Sequence, residues 1–207
     1  MRVFVPGFGA RAALYYGLTE SWTIHQPPSL RVAPTFADYV AELCRTVRSA
    51  PAPVILGGHS LGAAIAVATA NHCPGKIERL VLVAPAGLPL VKTKTASLRD
   101  FCRQSAAGAF PIPELIGAIS DALRAPRRAY RLACAAHRLD LRAELETLGA
   151  SGVPCDVIGC TSDTLTPVAH CREIARLAGA AFTTVQARSG HNWPIIEPYA
   201  FPAGLLL

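Results

Sequence analysis

The run RLVLVAP, from Arg79 to Pro85, constrains the fold more than any other part of the chain. It is continuously apolar, so a strand built from it cannot have one face in water. Strands covered on both sides belong to parallel sheets, whose crossover connections lay helices over the faces. Further short strand-like runs are RVFVPG from Arg2, SWTIHQ from Ser21, PVILGG from Pro53, VPCDVIGC from Val153 and AFTTVQA from Ala181. Helical patterns lie between them. From Thr35 the apolar residues Phe36, Tyr39, Val40, Leu43 and Val47 recur at helical spacing, and Thr35 with Asp38 forms the pattern of a capping box. LGAAIAVATANH reads as a helix closed by Cys73-Pro74-Gly75, and Pro167 begins another that runs to about Leu177. Strands alternating with helices predict an α/β fold, a mostly parallel central sheet of about six strands with helices on both faces.

With 207 residues, 51% of them hydrophobic, the chain suits one domain with a full core. The segment 89–149 breaks the alternation. It is rich in Arg and Ala, its period is helical and it holds no strand pattern. The expected organisation is therefore a core of residues 1–88 and 150–207, with 89–149 inserted as a helical cap. Open α/β sheets bind ligands at the carboxyl edge of their strands, which is where such a cap would sit.

Gly58-His59-Ser60-Leu61-Gly62 is a G-x-S-x-G motif between a predicted strand and a predicted helix. That setting is the one in which the motif makes a nucleophile elbow. A serine on so sharp a turn is strained, and side chains two residues away on either side would collide, which explains Gly58 and Gly62. The following helix aims its N-terminal dipole at the serine.

A serine hydroxyl is a weak nucleophile without a base in reach. Of the six histidines, His59 lies within the turn and points the wrong way, while His25, His72, His137 and His170 fall at a strand end or in helical stretches. His191, in ARSGHNWP after the last strand, shares the sheet edge of Ser60 and is the expected base. Asp163, in CTSDTLTP after the fifth strand, is the expected acid to orient it. The loop after RLVLV carries no carboxylate, Asp156 lies inside a strand and Asp140 lies in the cap. The same Asp163 would also suit a plain turn before Pro167. Backbone N–H groups of Leu61 and of Phe8, in the turn PGFGA, are the expected oxyanion donors.

With these residues in hand, the chain resembles the α/β-hydrolase superfamily, whose members order their catalytic groups Ser…Asp…His. The likeness covers nearly everything outside the cap, and GHSLG and SGH resemble its small capped esterase and carbon–carbon hydrolase branch. Two departures stand out. Pro6-Gly7 replaces the His-Gly that usually precedes the oxyanion residue, and the two antiparallel N-terminal strands are missing. Without them SWTIHQ would form an exposed edge, a pairing liability unless covered. The tail NWPIIEPYAFPAGLLL resembles the family's closing helix, shortened.

The remaining candidates concern substrate. Tyr15, Tyr16 and Trp193 fall on predicted loops near the serine and could line a pocket, although aromatics of this kind are more often core. Arg124, Arg127, Arg128 and Arg131 share one helical face, with Arg124 and Arg128 as possible anion contacts; a solvated helix face is the plainer explanation.

Net charge is +6, with few aromatics interleaved among the arginines, so no nucleic-acid partner is expected. The seven cysteines show no framework spacing, and neither a metal nor a cofactor is expected. The apolar runs fall short of the roughly 20 residues of a membrane span, and the first residues are too short a run for a signal peptide. Cytoplasmic location, no membrane partner, and a monomer or homodimer follow as expectations. The expected activity is hydrolysis of a small carboxylic ester through an acyl-enzyme. The alternatives are a thioesterase, a carbon–carbon hydrolase or cofactor-free lyase acting on an anionic substrate, or a non-catalytic small-molecule receptor.

Overall fold

The computed structural model describes residues 1–32, 35–106, 116–117, 120 and 122–206. Six strands form one sheet: β1 Arg2–Val5, β2 Thr23–Ile24, β3 Val54–His59, β4 Ile77–Val83, β5 Cys155–Cys160 and β6 Ala181–Val185. Their order is β2-β1-β3-β4-β5-β6, and every neighbouring pair is parallel. All six expected strands are present. The edge strand β2 is only two residues long, which limits the exposed pairing edge anticipated from SWTIHQ.

Alternation along each strand divides the core into two layers. Val3, Val5, Leu80, Leu82 and Val157 face one layer, and Phe4, Val81, Val83 and Ile158 face the other. The first layer is closed by α1 Phe36–Ser49, α2 Leu61–His72, α5 Arg142–Ser151 and α6 Val168–Leu177. Helix α1 starts where the sequence predicts. Thr35 Oγ1 accepts from the Asp38 N–H at 3.2 Å, and Asp38 Oδ2 accepts from the Thr35 N–H at 3.0 Å. Helix α2 has no polar face at all, because α1, α5 and the sheet surround it.

Among the described residues the second layer has no long helix. The 3₁₀ stretch Ala12–Leu18 covers it together with the short helix α7 Trp193–Ile196, the 3₁₀ turn Pro198–Ala200 and the aromatic side chains of Trp22 and Phe201. Prolines at 194, 198 and 202 interrupt the tail, so the expected closing helix is broken into single turns ending in α8 Ala203–Leu206.

The segment expected as a cap contains α3 Lys94–Ala106 and α4 Pro126–Arg138, and its residues 107–115, 118–119 and 121 lie outside the described ones. The sheet-covering layer resumes earlier than residue 150. Leu141 N–H donates to the Gly87 carbonyl at 2.7 Å, and Leu145 and Leu148 of α5 are buried in the first layer. The fully buried Leu56 on β3 anchors that layer. Leu56→Ala should cost about 2–5 kcal/mol through lost burial and the cavity left behind. The check is a urea unfolding curve, in which the midpoint falls while the slope stays unchanged.

Candidate active site

Ser60 stands between β3 and α2 with φ 55° and ψ −120°, a conformation that favours glycine. The reason for the flanking glycines is visible in the packing. A Cβ at Gly58 would lie 2.5 Å from the Gly62 carbonyl, and one at Gly62 would lie 2.2 Å from the Val5 carbonyl oxygen. The turn therefore closes on the backbone of both α2 and β1. Ser60 N–H donates to the Val83 carbonyl at 2.9 Å, and the Ser60 carbonyl accepts from Ala86 N–H at 3.0 Å.

Three expected residues from three separate loops meet here. Ser60 Oγ is 2.8 Å from His191 Nε2, and His191 Nδ1 is 2.7 Å from Asp163 Oδ2. His191 and Asp163 are buried. Burial alone would push the Asp163 carboxyl up. The His191 charge and hydrogen bonds from His191 and Thr166 outweigh it and hold the carboxyl below its usual range. Asp163 is at the same time a turn-forming residue, because its Oδ1 accepts from Leu165 N–H at 2.8 Å and Thr166 N–H at 3.0 Å. The turn aims the other oxygen at the imidazole, so the turn-forming role of this aspartate and its contact with His191 coexist.

Gly7, Phe8 and Leu61, the residue after Ser60, all line one cavity of about 120 Å³. A Cβ at Gly7 would come within 3.4 Å of Ser60 Cβ, so the turn after β1 lies directly against Ser60. Leu61 opens α2, where the first backbone N–H groups have no partner within the helix.

The proposed pocket aromatics sit elsewhere. Trp193 is fully buried and packs on Phe201, ring centroids 4.9 Å apart, as part of the second core layer. Tyr16 is 59% exposed on the outside of the 3₁₀ stretch. Tyr15 is fully buried and occupied within the protein. Its hydroxyl accepts from Gly7 N–H at 3.0 Å and lies 2.7 Å from His59 Nδ1. His59 Nε2 in turn is 2.9 Å from the His191 carbonyl oxygen. The only assignment that satisfies this chain makes His59 neutral with its proton on Nε2, donating to that carbonyl, while Tyr15 donates to Nδ1. Arg128 directs its guanidinium at the carbonyls of Leu30, at 3.4 Å, and Arg31, at 2.5 Å, so it braces a loop rather than standing free for an anion. Arg124 is exposed.

The sequence reasoning missed two supports. Thr166 is buried; its hydroxyl lies 2.8 Å from Asp163 Oδ2, 3.1 Å from the Ala84 carbonyl and 3.3 Å from His191 Nδ1. The spacing Asp-x-x-Thr is a signal that could have found it. Gln104 of α3 accepts from His191 N–H at 2.6 Å through Oε1 and donates to Thr164 Oγ1 at 3.1 Å. A Cβ at Gly190 would be 2.1 Å from that Oε1, so glycine is needed where α3 meets the histidine loop. No local pattern marks Gln104.

Burial, and the nearby His191, pull the His59 pKa down to about 3. In the unfolded chain it titrates near ~6.5. As pH falls below that value the unfolded chain binds a proton that the folded chain refuses until far lower pH, so folded stability drops by about 1.4 kcal/mol per pH unit from this residue. Between pH 6.5 and 4.5, unfolding free energies of His59→Gln should fall less steeply than those of the natural chain by about that amount. Parallel slopes would mean that His59 is protonated in the fold.

A family model described as alpha/beta hydrolase family matches residues 3–203. No curated protein matches the chain. Among solved structures, an esterase from Exiguobacterium antarcticum is 15% identical, with a TM-score of 0.75 over 100% of this chain and 91% of that one. N-formylmaleamic acid deformylase from Pseudomonas putida S16 is 19% identical, with a TM-score of 0.68 over 97% and 88%. A thioesterase domain from the curacin biosynthetic pathway is 18% identical, with a TM-score of 0.64 over 99% and 89%. With its parallel sheet, its strained serine elbow and the matched span of residues 3–203, the chain belongs to the alpha/beta hydrolase family.

Proposed function

We propose that the protein hydrolyses a small carboxylic ester by nucleophilic catalysis from Ser60. The observation that carries this reading is the unbroken hydrogen-bonded row Ser60 Oγ, His191 Nε2, His191 Nδ1 and Asp163 Oδ2, with contacts of 2.8 and 2.7 Å. Ser60 Oγ attacks the carbonyl carbon while His191 Nε2 takes the hydroxyl proton. Asp163 keeps the proton on Nδ1 and stabilises the imidazolium that forms. The N–H groups of Phe8 and Leu61 receive the developing oxyanion. As the tetrahedral species collapses, the carbon–oxygen bond to the leaving alkoxide breaks and His191 returns the proton to it. Water then attacks the acyl-enzyme, giving its proton to His191, and the acid leaves with Ser60 restored.

The small cavity supports a short acyl group. Thioester cleavage is the second reading, because the same row of groups serves either leaving atom and a thioesterase domain is among the structural neighbours. The deformylase among those neighbours illustrates how widely the substrates of one fold range. Among the described residues no helix is long and apolar enough to cross a membrane, and action on a small molecule in the cytoplasm, as a monomer or homodimer, completes the proposal.

Hydrolysis of p-nitrophenyl acetate and butyrate tests it. Ser60→Ala should lower kcat by at least about 1,000-fold, and Asp163→Asn by about 1,000- to 10,000-fold. A fluorophosphonate should label the natural chain at Ser60 and spare Ser60→Ala. Equal activity in Ser60→Ala, or no labelling of the folded natural chain, would overturn the assignment.

A further inference from the structure

The cavity lined by Phe8 and Leu61 is also lined by Arg11, whose charge the hydrolytic scheme does not use. Its lining includes the apolar Leu30, Ile65 and Leu132 and the polar Arg11, His25 and Gln26. Gln26 is committed within the chain, accepting from Ala12 N–H at 3.2 Å and donating to the Pro27 carbonyl at 3.2 Å. Burial lowers the His25 pKa, and the pull of Glu42 in the other direction is smaller, so the imidazole is neutral. Arg11 is then the one positive charge among the described residues that line the cavity, and none of those residues is acidic. Among the described residues no carboxylate stands within ion-pair distance of it.

A Cβ at Gly117 would come 2.8 Å from Arg11 Nη1 and 3.0 Å from its Cζ, so the backbone of Gly117 lies against the charged head. A half-buried arginine at a mainly apolar cavity is a preformed site for a carboxylate, whose two oxygens match its fork. The oxyanion donors bracket the substrate carbonyl oxygen, and the acyl chain hangs from the carbonyl carbon, next to the cavity those same two residues border.

We propose that this cavity selects esters whose acyl part ends in a carboxylate, the stem lying against Leu30, Ile65 and Leu132 and the carboxylate on Arg11. The proposal rests on the reading of Ser60 as nucleophile. One guanidinium balances one negative charge, which favours a carboxylate over a phosphate dianion. The volume of about 120 Å³ favours a short stem, since a cavity of about 150 Å³ is filled by benzene.

Monomethyl glutarate and methyl pentanoate have acyl chains of five carbons and differ in the terminal charge. Their hydrolysis, followed by base titration at pH 8, should favour the glutarate ester about tenfold or more in kcat/KM. Arg11→Met should shrink that ratio about tenfold, and Arg11→Lys should keep part of it. A natural chain that prefers methyl pentanoate, or an Arg11→Met variant with the natural ratio, overturns the proposal. So does Arg11→Met if both esters slow equally. Calorimetric binding of the same two esters to Ser60→Ala reads the charge preference without turnover. Failure of the nucleophile reading would appear instead as absent Ser60 labelling, with the binding preference intact.

Discussion

The site depends on one strained residue. A non-glycine backbone at φ 55°, ψ −120° persists only when its surroundings over-determine it, at a cost of about 1–3 kcal/mol. Here the strand before it is paired on both sides, by β1 and β4, and the helix after it is buried on every face. Ser60 N–H is tied to β4 through Val83, and its carbonyl to the following loop through Ala86. No neighbouring element can relax without breaking the sheet. The backbone of Ser60 is consequently set by the fold, and under the proposed mechanism this leaves less ordering of the nucleophile for substrate binding to supply.

The same constraint shapes the polar groups around it. Buried hydrogen-bonding atoms must be satisfied, and here they satisfy one another across loops. Thr166 joins the Asp163 turn to Ala84, itself at φ 43° just after β4. Tyr15 and His59 join the turn after β1 to the backbone of His191. Both networks end on backbone carbonyls or N–H groups, so they set the position of loops and not only of side chains. A phenol kept protonated by burial and an imidazole kept neutral suit that task, since neither adds a charge beside the His191–Asp163 pair.

The parts of this arrangement that follow short-range rules were readable in the residues. Period-two burial, the capping box at Thr35 and the glycines around Ser60 each follow from local sterics, and the structure has them at the expected residues. The meeting of Ser60, Asp163 and His191 was legible because the parallel topology carries every strand's carboxyl end to one edge. For Tyr15 and Trp193 the sequence left a pocket and the core both open, and the structure has them in the core. Nothing in the local pattern separates an aromatic that lines a pocket from one that fills the second layer, where short turns replace a long helix. Arg128 was misread for a related reason, because its acceptors are main-chain carbonyls nearly a hundred residues away.

Helix α3 shows how the inserted segment is bound to the site. Among its described side chains the buried ones are Ser97, Asp100 and Gln104, polar residues at helical spacing, so the hydrophobic effect cannot be what seats that face. Asp100 and Gln104 meet loops. Asp100 and Lys92 form an ion pair, and Lys92 also donates to the Thr164 carbonyl at 2.7 Å, next to Asp163. Gln104 takes the N–H of His191, and Phe101 packs edge-on against Phe8, centroids 6.2 Å apart. One helix therefore touches the loops of Asp163 and His191 and the turn of Phe8 at once. Polar contacts of this kind are individually worth little but directional, so the insertion fixes the orientation of three loops more than it adds to the stability of the core.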